Sequence, residues 1–441
     1  MCRGSPIQQQ PVFSAKRKPG KKATAKQCVG NEIFASTVQP RIAPNKLIAN
    51  LQSKFHRFRM RIAIVINTAW NIHNFRMGLI RSFLEAKHEI HAIAPPDGYE
   101  QHLIRAGCHY HPVLLDNKGT SPTKDFQYTR KLYSLYKKLR PDVVLHFTIK
   151  PNLYGTLAAQ LAGVPVINNV SGLGTVFLRE NMASKVARAL YRFAFRFADK
   201  VFFQNNDDLA YFISQRLVSA AITDVLPGSG VDLAYFYPVE FQRNKQFVFL
   251  LAARLIQDKG IREYAEAAKI LRQKNVDARF LLVGFKDESP FGVDTESLRQ
   301  WTQNDLIEYR GSTDDIRGVI RQSDCVVLPS YREGTPRSLL EAAAMGKPLI
   351  ATHVPGCVEV VDAEINGFLC EARNAADLAN QMLRMLALDD ARLKQMGGAS
   401  RRKVEEKFDE KFVIQKYHTA IASVLGHTEL IPAQPIMAGT V

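Results

Sequence analysis

Two carboxylates with seven residues between them, Glu333 and Glu341, stand in the segment Tyr331-Arg-Glu-Gly-Thr-Pro-Arg-Ser-Leu-Leu-Glu341-Ala, directly after an apolar run that ends at Pro329 and Ser330. A pair of acids first suggests hydrolysis. Gly334, however, breaks the strand into a turn, and Thr335, Pro336 and Arg337 open a helix. Proline suits the first helical position because its missing N–H would be unpaired there, and the remaining free N–H groups of that turn form a site for a diphosphate. Glu333 on the loop is free to accept hydrogen bonds from sugar hydroxyls, and Glu341, farther into the helix, reaches a ribose diol. A ligand with both hydroxyls and phosphates, such as a nucleotide sugar, satisfies the whole group. Solvated acids at this spacing are common by chance, so the pair gains meaning only from its turn-and-helix context.

Other polar residues gather at equivalent places. In Ala252-Ala-Arg254-Leu-Ile-Gln-Asp-Lys259-Gly260 two cations follow an apolar run, where a strand end would present them to phosphate charge; solvated helix-end charges are the alternative. The loops at Gly284 and Gly311 suit close approach of a base or ribose. In the first half, Asn67 to Arg76 reads as a strand end and helix start that carries Asn74 and Arg76. His146, Lys150 and Asn152 follow another strand, with His146 and Lys150 expected at its carboxyl end facing a cleft; Gly172 and Gly174 form a further turn. A lone histidine is more often a structural hydrogen-bonder than a catalyst, yet this strand-end position favours a functional role for His146. No D-x-D triplet occurs, and no His/Asp/Glu cluster has metal-ligand spacing. The expected chemistry therefore uses no metal and no cofactor, with Arg254, Lys259 and helix N–H groups neutralising the phosphates.

These residues need a scaffold, and from Arg61 onward the chain supplies one by alternating short β-branched runs with amphipathic stretches, the pattern of a parallel α/β sheet. Strands are expected at 62–67, 90–95, 143–147, 164–168 and 200–204, with helices at 75–86, 126–139, 153–162, 182–197 and 207–214. The turn-rich segment from Leu226 to Pro238 then breaks the rhythm. Strands resume at 247–252, 279–283, 307–309, 325–328, 348–351 and 367–370, with helices at 262–273, 339–345 and 376–387. The expectation is two Rossmann-like parallel-sheet domains facing a cleft, 60–230 for the acceptor and 231–408 for the nucleotide sugar. A helix at 409–425, with Phe412, Ile414, Tyr417, Ile421 and Leu425 on one face, is expected to pack back on the first domain, ahead of a tail at 426–441.

The quoted segments resemble the retaining glycosyltransferases of family 4, which have the GT-B fold. Glu333 and Glu341 are similar to that family's E-x7-E signature, and Arg254 and Lys259 to its diphosphate-binding segment. Leu282-Val-Gly284, Tyr309-Arg-Gly311, Pro355-Gly-Cys-Val-Glu359 and Asn366-Gly-Phe-Leu369 add to the likeness, which covers about 230–425. His146-Phe-Thr-Ile-Lys-Pro-Asn152 and Asn169-Val-Ser-Gly-Leu-Gly174 resemble the branch that extends polyprenyl-diphosphate-linked glycans for surface polysaccharides or glycoproteins. The family's usual glycine-rich loop is absent at 67–76. The resemblance implies transfer of a hexose or N-acetylhexosamine from a nucleotide-diphosphate donor, UDP above all, to a lipid-linked or free glycan. His146, Arg254, Lys259 and Glu333 would be catalytic. Gly284, Gly311, Gly334, Thr335, Pro336, Arg337 and Glu341 would hold the donor, and Asn74, Arg76, Lys150, Asn152, Gly172 and Gly174 the acceptor. A nucleotide-sugar epimerase on the same fold is the nearest alternative.

Composition bounds the partners. Of a net charge of +17 over 441 residues, +12 lies in residues 1–61, which hold thirteen Lys/Arg against Glu32 alone, leaving +5 for the rest. Residues 1–59 read as a disordered basic tail ahead of a functional start at Met60. The globular part is too weakly basic for the remaining alternative, a nucleic-acid-binding protein, and none is expected as a partner. Lys185, Arg188, Arg192, Arg196 and Lys200 recur at helical spacing beside Leu190, Tyr191, Phe193, Phe195 and Phe197, a pattern that suits either an anionic membrane surface or a solvated outer face. Six scattered cysteines and the lack of a spanning apolar run complete the expectation of a cytoplasmic protein, peripheral on the inner face of the plasma membrane.

Overall fold

A computed structural model describes residues 59–427 apart from 117, 118, 120, 174–176, 178–181, 239 and 241. The first half forms a seven-stranded sheet from β1 (Arg61–Val65), β2 (Glu89–Ala94), β3 (His109–Pro112), β4 (Val143–Phe147), β5 (Val166–Val170), β6 (Lys200–Phe203) and β7 (Thr223–Val225). The second forms a six-stranded sheet from β8 (Phe247–Ala252), β9 (Ala278–Val283), β10 (Glu308–Tyr309), β11 (Cys325–Leu328), β12 (Leu349–Thr352) and β13 (Gly367–Cys370). Their orders are β3-β2-β1-β4-β5-β6-β7 and β10-β9-β8-β11-β12-β13, and every pairing between these strands is parallel. The continuous apolar runs explain this: Ile62, Ala63, Ile64 and Val65, like Phe249, Leu250 and Leu251, are buried, as strands covered by helices on both sides must be. In each half the strand order reverses between its first and fourth strands, β1 and β4 or β8 and β11. The crevice at such a reversal, outside the carboxyl ends of the strands, is where this architecture binds ligands.

Several elements differ from the sequence pattern for local reasons. The helix expected at 75–86 is two, Ala69–Phe75 and Met77–Glu85, broken at Arg76, whose φ of −127° and ψ of −1° leave the helical region. The stretch 182–197 tightens after Ala194 into a single 3₁₀ turn, Phe195–Phe197. β3 and β7 were not anticipated. The first reads His-Tyr-His-Pro, without alternating apolar residues, and the second has only three residues. An 18-residue helix, Asp390–Lys407, is equally poorly marked because its polar residues dominate.

The last helix, Glu410–Val424, returns to the first half. Val413, Tyr417 and Ile421 are buried with Ile80, Phe83 and Phe147 in one core, and Asn169 donates to the Tyr417 hydroxyl at 2.9 Å. Burying such side chains stabilises by roughly 1.5–3 kcal/mol each. Outgoing and returning chain run side by side where they cross: Val231 N–H donates to Phe408 O at 2.9 Å and Glu410 N–H to Val231 O at 3.1 Å.

Candidate active site

A cleft of about 800 Å³ lies between the two sheets and is lined from both. Its floor comes from the ends of β8 and β11. Beyond β8 the chain passes Arg254 and makes a 3₁₀ turn, Gln257–Lys259, closed by Gly260 at φ +70°. A Cβ on Gly260 would sit 2.0 Å from the Pro329 carbonyl oxygen, so only glycine lets this turn rest on the end of β11. The loop after β11 is tied to the same turn by Tyr331 N–H to Asp258 O at 2.9 Å. These constraints bring Lys259 and Glu333 into a largely buried ion pair. Arg254 stands beside them, half-exposed, 3.6 Å from Asp287.

The helix Arg337–Ala344 follows. Pro336 is its capping residue, one position earlier than expected, and Thr335 lies outside it. Arg337 and Glu341, one turn apart on one face, pair at 2.8 Å, and Arg337 also donates to Gly230 O at 2.5 Å. Burial raises the Glu341 carboxyl above the ordinary carboxylate range, against the pull of Arg337. Gly284 lines the cleft, with its N–H on Gly311 O at 2.8 Å; Gly311 stands behind it, at φ +70°. Gly334 and Thr335 do not line the cleft but join the halves. A Cβ on Gly334 would meet Ser171 O at 2.3 Å, and the Thr335 hydroxyl donates to Gln204 O at 2.8 Å. Beside them Arg332 pairs with the buried Asp208 at 2.5 Å.

The first half departs further from expectation. Trp70, Asn71, His73 and Asn74 line the cleft, and the Asn74 amide donates to Trp70 O at 2.9 Å. Arg76 does not line it. The side chain is 5% exposed and lies in the first core, its guanidinium 4.3 Å from the Phe147 ring centre, and burial lowers its pKa to about 10. His146 does not face the cleft either: it is fully buried between the Tyr136 hydroxyl at 3.0 Å and Asn168 Oδ1 at 3.1 Å. Those partners assign Nδ1 as the protonated nitrogen and Nε2 as the acceptor. Burial depresses the ring's pKa to about 3, so it stays neutral. Gly155 makes room for it, since a Cβ there would fall 2.6 Å from Nε2. Lys150 turns to Asp125 at 2.5 Å and Asn152 donates to Asn169 O at 2.8 Å, both away from the cleft. These residues take partners in the interior because a buried polar group without one is costly, although Asn152 Oδ1 has none among the described residues. Gly172, at φ +132°, abuts Gly334, with a Cβ predicted 3.2 Å from its nitrogen; Gly174 lies outside the described residues.

Cleft residues not anticipated include Arg81, Asp232, Phe285, Asp314, Asp315 and Glu410. The Tyr99 hydroxyl reaches Asp314 at 2.5 Å, and the rings of Trp70 and Phe285 meet edge-on at 6.0 Å, closing the rim from opposite halves. Nothing local in the sequence marks them, because each depends on which loops the fold sets face to face. Among the described residues no helix is long and apolar enough to cross a membrane.

Comparison with known proteins agrees with this geometry. Residues 61–205 match the family described as Glycosyl transferase 4-like, and residues 246–388 that described as Glycosyl transferases group 1. The chain is 30% identical over 378 residues to the N,N'-diacetylbacillosaminyl-diphospho-undecaprenol alpha-1,3-N-acetylgalactosaminyltransferase of Campylobacter jejuni, covering 81% of this chain and 97% of that one. It is 31% identical over 317 residues to the UDP-Gal:alpha-D-GlcNAc-diphosphoundecaprenol alpha-1,3-galactosyltransferase of Escherichia coli, covering 68% and 79%. Its fold matches that of Anabaena HepE, solved in complex with UDP and glucose, with a TM-score of 0.70 at 19% identity over 83% of this chain and all of that one. Both halves carry transferase domains, which sets aside the epimerase alternative. With the acid pair and its cations assembled where two Rossmann-like sheets face each other, the chain belongs to the family-4 glycosyltransferases of GT-B fold.

Proposed function

We propose that this glycosyltransferase moves a hexose or N-acetylhexosamine from a UDP-sugar to a polyprenyl-diphosphate-linked glycan, with retention at the anomeric carbon. The observation that carries the reading is the pairing of Lys259 with Glu333 beside Arg337 with Glu341, cations and acids alternating across the cleft floor at the ends of β8 and β11. Arg254 and Lys259 hold the diphosphate, Glu333 the transferred sugar and Glu341 the ribose, while the loops at Gly284 and Gly311 receive the base. The second half is thus the donor side and the first the acceptor side. The donor and acceptor classes are supported by the two relatives, whose names specify undecaprenyl-diphosphate-linked sugars and, in the Escherichia coli case, UDP-Gal.

Glu333 is already committed to Lys259, and a carboxylate held by a cation is a poor covalent nucleophile. Attack on the same face through an oxocarbenium-like ion pair fits better. The anomeric carbon–oxygen bond to the diphosphate breaks, the acceptor oxygen bonds to that carbon, and the departing diphosphate takes the acceptor's proton. Arg254 and Lys259 stabilise the charge growing on the diphosphate, each by about 3 kcal/mol if preorganised; the reaction then needs no metal.

A lipid-linked acceptor calls for contact with a membrane. The helix Met182–Ala194 and the turn after it bear exposed Met182, Val186 and Phe193 beside Lys185, Arg192 and Arg196, a combination suited to an anionic lipid surface on the cytoplasmic side. Tyr191 and Phe195, two aromatics of the same stretch, are core residues instead. The test incubates the enzyme with UDP-sugars and polyprenyl-diphosphate glycans, with the product's anomeric configuration read by NMR. A glycan extended with retained configuration is expected. An inverted product, or nucleotide release without glycan extension, would overturn the proposal.

A further inference from the structure

Six carboxylates line the cleft: Asp232, Asp314, Asp315, Glu333, Glu341 and Glu410. Five are engaged. Asp232 accepts from the N–H groups of Ala234 and Tyr235, both at 2.9 Å; Asp314 from Tyr99; Asp315 from Arg317 at 2.7 Å; Glu333 and Glu341 pair with Lys259 and Arg337. The Glu410 carboxylate makes no hydrogen bond or ion pair among the described residues.

Its position is nevertheless built. Glu410 opens the last helix, whose cap is Asp409, accepting from Lys411 N–H at 3.0 Å, so Glu410 is not needed for capping. Its backbone fits because Gly230, at φ +70°, has no Cβ; one there would stand 2.4 Å from the Glu410 Cα. Its carboxylate lies over Gly78 in the first turn of the helix Met77–Glu85, where a Cβ would fall 2.1 Å from Oε2. It does not cap that helix, which has no side-chain cap. One turn on from Gly78, exposed Arg81 lines the same wall and likewise has no hydrogen bond or ion pair among the described residues. Burial, reinforced by Asp232 and Asp409, pushes the Glu410 carboxyl above its ordinary range, while Arg337 and Arg81 pull it down. A half-buried carboxylate without a protein partner, in a seat made by two glycines and open to the cleft, keeps its acceptor oxygens free for donors on a ligand.

Glu410 belongs to the helix built into the first half and lines the same cleft as the donor residues proposed at the ends of β8 and β11. We propose that Glu410 selects the acceptor, its carboxylate accepting hydrogen bonds from a hydroxyl or acetamido N–H of the acceptor's terminal sugar. The inference rests on the glycan-acceptor reading above and names a residue for it.

The experiment compares wild type, Glu410→Gln and Gly78→Ala in steady-state transfer to a polyprenyl-diphosphate glycan, with UDP affinity measured by calorimetry. Glutamine keeps the size and removes the charge. Alanine at 78 displaces the carboxylate without removing it, in a helix that alanine favours, so folding is preserved. Both variants should lose about 10- to 100-fold in kcat/KM for the acceptor with UDP affinity unchanged, and the double variant should be no worse than Glu410→Gln alone. Wild-type acceptor kinetics in Glu410→Gln, or a matching loss of UDP affinity, would overturn the proposal. If wild type extends only free glycans, the lipid-linked acceptor reading fails by itself, and the same variants assayed on the free glycan still decide the role of Glu410.

Discussion

The two halves share one strand order but use their strand ends in opposite ways. In the second half, the segments after β8 and β11 turn Arg254, Lys259 and Glu333 into the cleft, where Lys259 and Glu333 hold each other and Arg254 approaches the largely buried Asp287 side chain. In the first half, the polar residues around β4 and β5 turn inward: His146, Asn168, Lys150 and Asn152 bond to one another, to the sheet backbone at Asn169, or to Tyr136, Asp125 and Thr156 on the helices that cover it. The same topology therefore serves as a charged receptor on one side and as a stiff wall on the other. A strand-end position is thus an opportunity for function rather than a sign of it. What decides is whether the next turn is pinned open, as by Gly260 and Gly356 in the second half, or folds a helix back over the residue, as the turn Pro151–Gly155 does over His146.

The contrast is broken most directly on the receptor side. Lys259→Ala should lower turnover by roughly a hundredfold or more, because the contact strengthens as charge moves to the leaving diphosphate. Glu333→Gln should fall comparably in turnover while the affinity for free UDP changes little, since UDP carries no sugar to occupy that carboxylate. Single-turnover rates and calorimetry on the two variants provide the check. If Glu333→Gln loses UDP binding and keeps its turnover, the acid belongs to the nucleotide and the assignment is reversed.

This contrast also explains what was readable in advance. Parallel alternation and the reversal of strand order follow from runs such as Ile62–Val65 and Phe249–Leu251, whose burial on both faces is written in their composition. That Arg254, Lys259, Glu333, Arg337 and Glu341, the residues proposed for the donor, would gather in one cleft was legible because they sit in two short, contiguous segments whose glycines and proline impose local geometry. The acceptor side was not. Arg76 breaks the stretch into two helices instead of lying in the first turn of one, and its side chain points to Phe147 and not to the cleft. Glu410 reaches the cleft only because a helix far downstream in the chain crosses back beside Gly78, a relation between distant segments that no local pattern carries.

A smaller effect is expected at Glu341. It is buried against Arg337, and Glu341→Ala removes a charged acceptor for the ribose diol while leaving Arg337 with Gly230 O and Ser229. UDP and the intact donor should both bind more weakly by about 1.5–3 kcal/mol, the usual size of a hydrogen bond to a charged group. Calorimetric titration of UDP measures it. Unchanged affinity would place the ribose elsewhere and blur the division between Glu333 and Glu341.

The smallest effect on turnover is expected on the wall side, at His146. His146→Gln should keep kcat within about twofold once corrected for the folded fraction, because the ring touches Tyr136 and Asn168 and not the cleft. Its cost falls on stability, about 1–3 kcal/mol for disturbing a buried, doubly bonded group. The pH dependence separates the two roles. Burial lowers the pKa of His146 from 6.5 to about 3, and that of His418 to about 4, so the unfolded chain binds protons that the folded chain refuses. The stability each histidine confers is complete above pH 6.5 and is lost as pH falls through the window below it, at up to about 1.4 kcal/mol per pH unit for each. Urea unfolding at pH 7, 6 and 5 should show wild type weakening steadily, and His146→Gln weakening less steeply because one proton-linked contribution is gone while those of His418, His91, His73 and His111 remain. A collapse of kcat at pH 7 with unchanged stability would return His146 to the reaction and erase the contrast between the halves.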